Sequence, residues 1–579
     1  HRALLLTSLH EIPPGEILVV TYSKAAAEQM RKRYLALGGN NAITFGTFHA
    51  VFFRVLRARY SYATGNVLSE DERRSAVKRM LKNLRYDLED EFVSSVLNEL
   101  SLVKNELFDL KYYHAVSVGS EDFLSIFEQY ADFKRESGKI DFDDMLSLCY
   151  ELFMSEPDAL GAWRMRFPYI MIDEFQDINR VQYECVKLLA APANNIFIVG
   201  DDDQSVYRFR GARPEFLLHF PKDFPDTGRV VLDTNYRSPD PVIAYANKLI
   251  AGNKIRYGKL ITGTGRAGAP VTRLTADDQN AEAVVIAEKI KALRKNGALS
   301  FDDFAVIYRL NIQARALADA FMYANIPYQI KDEAPTVYEH WIAKDFFAFL
   351  RLGMETPVAY SADIERIINK PYRYIGKAFL LSAKKANVSP FVAYKRDAAL
   401  NDLQKTRIEE LVFYIKACAA RSPADAIKYI RQAVGYDQHI RDHCEYRKLN
   451  PAGLFEIADE LQDAAKPFQT AAEFLEHAGK AVEASRQNKE DRGPSVTLTT
   501  LHSAKGLEFG TVFIAGAVDG VIPHERSKTE AELEEERRLL YVGVTRAKDA
   551  LYVSATRMRY DKTVKPSRFI VNNIGGANV

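Results

Sequence analysis

Tyr169-Ile170-Met171-Ile172-Asp173-Glu174-Phe175-Gln176-Asp177 is the stretch on which the fold turns. Four apolar residues run straight into a cluster of carboxylates. A continuous apolar run of this length, with helical patterns around it, predicts a strand buried on both faces of a parallel sheet. Acidic residues at the carboxyl end of such a strand sit where α/β proteins bind ligands. One carboxylate there can hold Mg²⁺ on phosphates, and the next can orient or deprotonate a water. An acidic helix cap has the same local composition, so the nine residues alone leave both readings open.

Two more runs have the same form, Ile17-Leu18-Val19-Val20 and Ile196-Phe197-Ile198-Val199. With 169–172 they predict central strands of one sheet. Residues 61–160, rich in Leu, Glu, Lys and Arg, predict helices. The pattern then recurs. Val230-Val231-Leu232, Phe304-Ala305-Val306-Ile307, Val496-Thr497-Leu498-Thr499 and Val512-Phe513-Ile514 predict strands, with a helix over 282–294 among them. A second helical stretch, 339–484, interrupts this set, and the polar run 485–494 predicts a linker back to the sheet. Residues 1–10 predict a helix that is followed by the first strand, an order that points to a further segment upstream of His1. The expected architecture is α/β with two parallel-sheet lobes, each carrying a mostly helical insertion. The boundaries are 1–62, 63–160 and 161–230 for the first lobe, and 231–338, 339–490 and 491–579 for the second.

With 579 residues, 47% of them hydrophobic, the chain can bury several cores. No run of 18 apolar residues predicts a membrane span. Four scattered cysteines without a CxxC argue against a disulfide framework or a zinc ribbon and suit a reducing cytoplasm. Lys+Arg number 78 against 77 Asp+Glu, so any nucleic-acid site must be a local groove.

Four more segments carry chemistry. Gly200-Asp201-Asp202-Asp203-Gln204 follows the strand at 196–199, and Ser205-Val206-Tyr207-Arg208-Phe209-Arg210-Gly211-Ala212 continues it. A Gln at a strand end can hydrogen-bond a γ-phosphate, and aromatics alternating with arginines can stack on bases and meet phosphates. Asn235-Tyr236-Arg237-Ser238-Pro239 offers an Arg that can reach a phosphate. His502-Ser503-Ala504-Lys505-Gly506-Leu507-Glu508-Phe509 is a strand-to-loop turn. Tyr541-Val542-Gly543-Val544-Thr545-Arg546-Ala547-Lys548 follows a charged helix face.

Taken in order, these segments resemble the motifs of superfamily 1 helicases, most closely the UvrD/Rep/PcrA family. Thr21-Tyr22-Ser23-Lys24-Ala25-Ala26-Ala27-Glu28-Gln29-Met30 is similar to motif Ia, Thr44-Phe45-Gly46-Thr47-Phe48-His49-Ala50 to motif Ib, and Asp141-Phe142-Asp143-Asp144-Met145-Leu146 to the FDDLL segment. DEFQD resembles motif II, GDDDQSVYRFRGA motif III, NYRSP motif IV, HSAKGLEF motif V and VGVTRAK motif VI. The resemblance implies two RecA-like lobes of the P-loop NTPase type, with ATP and Mg²⁺ used between them. It implies an ATP-dependent helicase or translocase moving 3′ to 5′ on single-stranded DNA and unwinding at duplex junctions. By motif, Asp173 binds Mg²⁺, Glu174 activates water, Gln204 senses the γ-phosphate, and Arg237 and Arg546 are arginine fingers. Tyr236 stacks on adenine, Glu508 meets the ribose, and Gly506 belongs to the same nucleotide site. Tyr22, Thr47, His49, Tyr207, Phe209, Arg210 and His502 line the DNA path. The implied setting is the bacterial cytoplasm, on the nucleoid. Repair, replication and recombination roles, and protein partners, are not read from the sequence.

The sequence departs from the family at three places. No GxxxxGK[ST] phosphate cradle occurs; Gly138-Lys139, Gly258-Lys259, Gly376-Lys377 and Gly479-Lys480 all lack the hydroxyl residue. The expectation is that the cradle lies upstream of His1 and that these 579 residues alone hydrolyse ATP poorly. Phe209 stands where the family more often has Trp, and Lys24-Ala25 where it usually has Asn-Lys. Gly263-Thr264-Gly265-Arg266-Ala267-Gly268 matches a dinucleotide pattern but predicts a loop, since no helix follows. His114, His340, His439, His443 and His477 show no metal-ligand spacing. The alternatives are a non-catalytic DNA-binding paralogue that kept the fold, and the motor subunit of a helicase–nuclease complex. The intact set Asp173, Glu174, Gln204, Arg237 and Arg546 speaks against the first.

Overall fold

The computed structural model describes residues 1–570 except 87, 89, 296–298, 333–334, 399, 448 and 488–492, with the side chains of 90, 91, 210 and 487 also outside the description. Half of the predicted linker 485–494 therefore lies outside the described residues. The chain forms two compact units. The first comprises His1–Leu232 with Asn253–Lys259, the second Asp233–Gly252 with Leu260–Val579. Residues 253–259, placed in the second lobe by the sequence boundaries, pack in the first unit. Among the described residues no helix is long and apolar enough to cross a membrane.

The first unit holds four parallel strands, β1 (Ile17–Thr21), β2 (Thr44–Thr47), β3 (Tyr169–Ile172) and β4 (Ile196–Ile198), in the order β2-β1-β3-β4. Successive strand residues point to opposite faces. Leu18, Val20, Ile170 and Ile172 meet Phe48, Val55, Leu152 and Val186 on one face. Ile17, Val19 and Met171 meet Ala3, Leu6 and Tyr34 on the other. Both faces are covered, so β1 is apolar from Ile17 to Val20 and ends on the buried Thr21. Among the described residues the strand at 196–198, expected in the middle of the sheet, stands at the end of its strand order, and Phe197 and Val199 are 43% and 41% exposed.

Helices Glu70–Asn83, Asp90–Asn105, Ser120–Ser137, Phe142–Ser155 and Pro157–Arg166 fill the region between β2 and β3. The segment Asp141–Asp144 anchors them. Asp144 accepts from Lys134 and Lys104 at 2.6 and 2.7 Å, and Asp143 from Ser101 and Asn105 at 2.5 and 3.0 Å.

In the second unit β5 (Thr234–Asn235) pairs in parallel with β6 (Thr262–Gly263). No helix follows β6 before residue 279, and 264–268 is loop, as predicted. A six-stranded parallel sheet comprises β7 (Thr272–Ala276), β8 (Phe304–Tyr308), β9 (Tyr328–Ile330), β10 (Val496–Thr500), β11 (Phe509–Ile514) and β12 (Ala547–Thr556). Its order is β7-β12-β11-β8-β10-β9. The predicted strand Val230-Val231-Leu232 does not form. These residues are apolar and two of them β-branched, but among the described residues no strand pairs with them, and Val230 and Leu232 are 84% and 81% exposed.

Between β9 and β10, helices from Trp341–Met354 to Ala471–Gln487 share a core that includes Ile342, Phe346, Phe349, Leu411, Ile427, Leu461 and Phe474. Asp345 is buried there and accepts from Arg366, Lys370 and Tyr436 at 2.9, 2.8 and 2.5 Å. Burial is the main cause that pulls the pKa values of His340 and His439 down to about 4. The folded state thus binds fewer protons than the unfolded chain, in which the pKa is about 6.5. Stability from these residues is complete above that value and is lost as pH falls towards about 4. The melting temperature is expected to fall from pH 7.5 to 5, and to fall less in His439→Gln. Parallel pH profiles for the two proteins would refute this.

Candidate functional site

The ends of the first sheet's strands bring several singled-out residues together. After β3, Asp173 N–H donates to Val20 O at 2.9 Å and Phe175 N–H to Val199 O at 3.0 Å, so the turn remains bonded to both neighbouring strands. Glu174 sits between them at φ 54°, in the left-handed region. A non-glycine residue there carries strain on the order of 1–3 kcal/mol, a cost that persists only where the surroundings over-determine it. Those surroundings include Gln176, which is fully buried. Its Nε2 donates to Glu174 Oε2 at 2.5 Å, and its Oε1 accepts from the Asp201 N–H at 3.0 Å. Asp201 Oδ2 accepts from Gln204 Nε2 at 2.7 Å. The acidic turn after β3 and the Gln after β4 are therefore joined through two intervening residues.

Asp201, Asp202 and Asp203 place carboxylate oxygens within 4.8 Å of one another. Their charge is met by cations of the first unit. Lys259 Nζ lies 2.5, 2.5 and 3.3 Å from the three in turn, and Arg256 forks onto Asp203 at 2.7 and 2.5 Å. Burial raises the pKa of Asp201, but Lys259 and the hydrogen bonds around it outweigh that and hold it below the ordinary value. This cluster is an ion-paired strut. Asp173 is different: partly exposed, at a strand end, beside a second carboxylate. A hard carboxylate oxygen at a strand end, partly open to water, is a donor that Mg²⁺ takes, so the residue type and place fit that ion.

The aromatic residues form a second group. Tyr22, after β1, and Tyr207 stack with ring centroids 5.0 Å apart and planes 8° apart, and Phe209 meets Tyr207 edge-on at 6.1 Å. Tyr22 and Phe209 are exposed. The Arg210 side chain lies outside the described residues. Thr47 caps the helix Phe48–Tyr60 by accepting from Ala50 N–H at 3.3 Å. His49 lies edge-on to the exposed Phe142 at 5.8 Å; burial lowers its pKa, with Asp143 opposing.

In the second unit Arg237 Nε donates to Glu508 Oε2 at 3.0 Å and Nη1 to Thr545 O at 3.4 Å, with Lys548 3.7 Å from Glu508. The bond from Arg237 is the main cause that holds the Glu508 carboxyl below its usual range. Tyr236 is 79% exposed. Arg546 is buried, and its guanidinium donates to Val542 O, Leu507 O and Thr545 Oγ1 at 2.8, 3.3 and 3.0 Å. Gly506 takes φ 81°, a turn conformation that side chains resist. His502 follows the carboxyl end of β10, whereas Glu508 precedes β11 and Arg546 precedes β12. A strand of five residues spans about 16 Å, so in this parallel sheet His502 lies at the carboxyl ends of the strands and the other two at the amino ends.

Gln176, Asp201, Arg256 and Lys259 received no role from the sequence. Gln176 and Asp201 stand inside quoted motifs, two residues from Glu174 and three from Gln204. Nothing in the sequence points to Arg256, and Lys259 drew notice only as one of the Gly-Lys pairs.

The UvrD/REP helicase N-terminal domain matches residues 1–225, and the UvrD-like helicase C-terminal domain matches 230–558. The chain is 34% identical to the putative ATP-dependent DNA helicase YjcD of Bacillus subtilis, over 96% of its own length and 75% of that protein. It is 32% identical to the ATP-dependent DNA helicase PcrA of the same organism, over 96% and 79%. It is 33% identical to DNA helicase II of Escherichia coli, over 98% and 82%.

Proposed function

The chain belongs to the UvrD/REP helicase family, and on that premise we propose that it is an ATP-driven motor moving 3′ to 5′ on single-stranded DNA and unwinding duplex at junctions. The observation that carries the proposal is the bonded path from Glu174 through Gln176 and Asp201 to Gln204. In this reading Glu174 orients and deprotonates the attacking water and Gln204 meets the γ-phosphate, so base and sensor share one rigid frame. Preorganised groups of this kind are what phosphoryl transfer asks of a protein. Asp173 would hold Mg²⁺, which when bound would supply charge neutralisation on the phosphates. Arg237 and Arg546 supply the positive charge of the second unit, Tyr236 stacks on the base, and Glu508 and Gly506 shape the ribose side. Arg546 must exchange its carbonyl partners for phosphate oxygens to act.

Tyr22, Tyr207 and Phe209 offer stacking faces for DNA, with Thr47, His49, Arg210 and His502 along the same path. Base stacking is sequence-tolerant at about 1–3 kcal/mol per base, which suits a motor that must grip any sequence. The proposal places the protein in the bacterial cytoplasm, on the nucleoid.

Two measurements test it. ATP turnover in the full natural chain is expected to rise at least about tenfold with oligo-dT, as charge stabilisation is completed only in the closed, DNA-bound state. Strand displacement is expected on a 3′-tailed duplex and not on a 5′-tailed one; the reverse preference would overturn the polarity. Because the 579 residues hold no GxxxxGK[ST], they are expected to turn over ATP more slowly than the same residues preceded by such a segment.

A further inference from the structure

Arg256 and Lys259 lie outside every motif that carries the family resemblance. The chain runs through the second unit to Gly252, belongs to the first unit for Asn253–Lys259, and is again part of the second from Leu260. This seven-residue strap is fastened along its length. Tyr257 N–H donates to Asp202 Oδ2 at 2.8 Å and its hydroxyl to Leu217 O at 2.9 Å, and the Arg229 guanidinium lies 4.7 Å from its ring centroid. Arg256 forks onto Asp203, which is fully buried. Lys259 touches all three carboxylates. Breaking one partner out of a buried ionic group leaves uncompensated charge, so such a group holds geometry even where it adds little net stability.

The geometry of Asp201 gives the strap its consequence. One carboxylate oxygen, Oδ1, accepts from Lys259 Nζ at 2.5 Å; the other, Oδ2, accepts from Gln204 Nε2 at 2.7 Å. The direction of that carboxylate fixes the Gln204 amide, and Lys259, together with the Asp203 N–H that also donates to Oδ1 at 3.2 Å, fixes the carboxylate. Without the ammonium, three carboxylates within 4.8 Å face one guanidinium, and like charges this close cannot all remain ionised in place. We propose that Lys259 is a positioning residue for Gln204, acting through Asp201, and that Arg256 and Tyr257 seat the strap that delivers it. The inference rests on the reading that Gln204 senses the γ-phosphate.

The test is steady-state ATP hydrolysis by the full natural chain with saturating oligo-dT. A displacement of about 1 Å in a positioned group costs on the order of 10²-fold. Lys259→Met is accordingly expected to lower kcat by about 10- to 100-fold while leaving KM for ATP within about threefold, and Lys259→Arg to recover most of the loss. Combining Lys259→Met with Gln204→Ala is expected to be no slower than Gln204→Ala alone, since residues acting as one unit are not additive. Full additivity, or a Lys259→Met chain with unchanged kcat, overturns the inference. If Lys259→Met does not fold, Lys259→Gln, which keeps a donor but not the charge, is judged by the same criteria. A wild-type chain that hydrolyses no ATP with DNA present would fell the motor reading itself; wild-type turnover with an indifferent Lys259 fells only this inference.

Discussion

Replacing Glu174 with Gln is expected to lower DNA-stimulated ATP turnover by about 10²–10⁴-fold, the range that a positioned general base supplies. The substitution is close to isosteric. The new amide oxygen can still accept from Gln176 Nε2, which lies 2.5 Å from the native carboxylate, so the frame through Asp201 to Gln204 is retained. What is lost is the ability to take a proton from water. Turnover should therefore fall by that factor while nucleotide affinity and melting temperature hold. Glu174→Gly sharpens the test. At φ 54° the native residue is strained, and a glycine relieves that strain at a smaller entropic cost. A gain of about 1 kcal/mol is expected, in a chain as inactive as Glu174→Gln. A fully active Glu174→Gln protein would remove Glu174 from the chemistry. A Glu174→Gly chain that melts lower would show that its carboxylate is needed for the fold.

Burial and sequence range decide which parts of the fold and the candidate site are legible in the sequence. β1 and β8 are continuous apolar runs because helices cover both faces of their sheets, and both were legible as strands. β2 and β7 are edge strands with partly exposed, mixed residues, and no periodic signal marked them. Val230–Leu232 shows the converse error: composition alone predicts a strand where none of the described residues pairs with it. At the candidate site, Asp173 and Glu174 stand out in the sequence because they directly follow an apolar strand, and Gln204 because it closes the acidic turn after the run 196–199. The buried ion pairs that hold Gln204's neighbour in place do not. Lys259 is 58 residues from Asp201, and a single basic residue in a polar segment carries no mark of the partner it will meet.

Arg237→Ala is expected to lower turnover by about 10³-fold or more, the contribution typical of an arginine finger, with little change in melting temperature. The two halves of that expectation come from the same turn. Asn235 Oδ1 accepts from the N–H groups of Arg237 and Ser238 at 2.8 and 3.0 Å, and Ser238 Oγ donates to Ala547 O at 2.7 Å. None of these bonds uses the Arg237 side chain, so the turn survives its loss. The guanidinium itself is about a third exposed and pairs with a half-exposed Glu508, and an ion pair so open to water is worth only about 0–1 kcal/mol. Glu508 is thus a resting partner that a phosphate can displace at small cost. Arg546 makes the control. Its buried guanidinium spans Val542, Leu507 and Thr545, so Arg546→Ala is expected to lower melting temperature and turnover together. Arg237→Lys should rescue little, because an ammonium lacks the planar fork that meets two phosphate oxygens. If Arg237→Ala instead melts several degrees lower and keeps its turnover, the residue is a strut of the second unit and the finger is to be sought elsewhere.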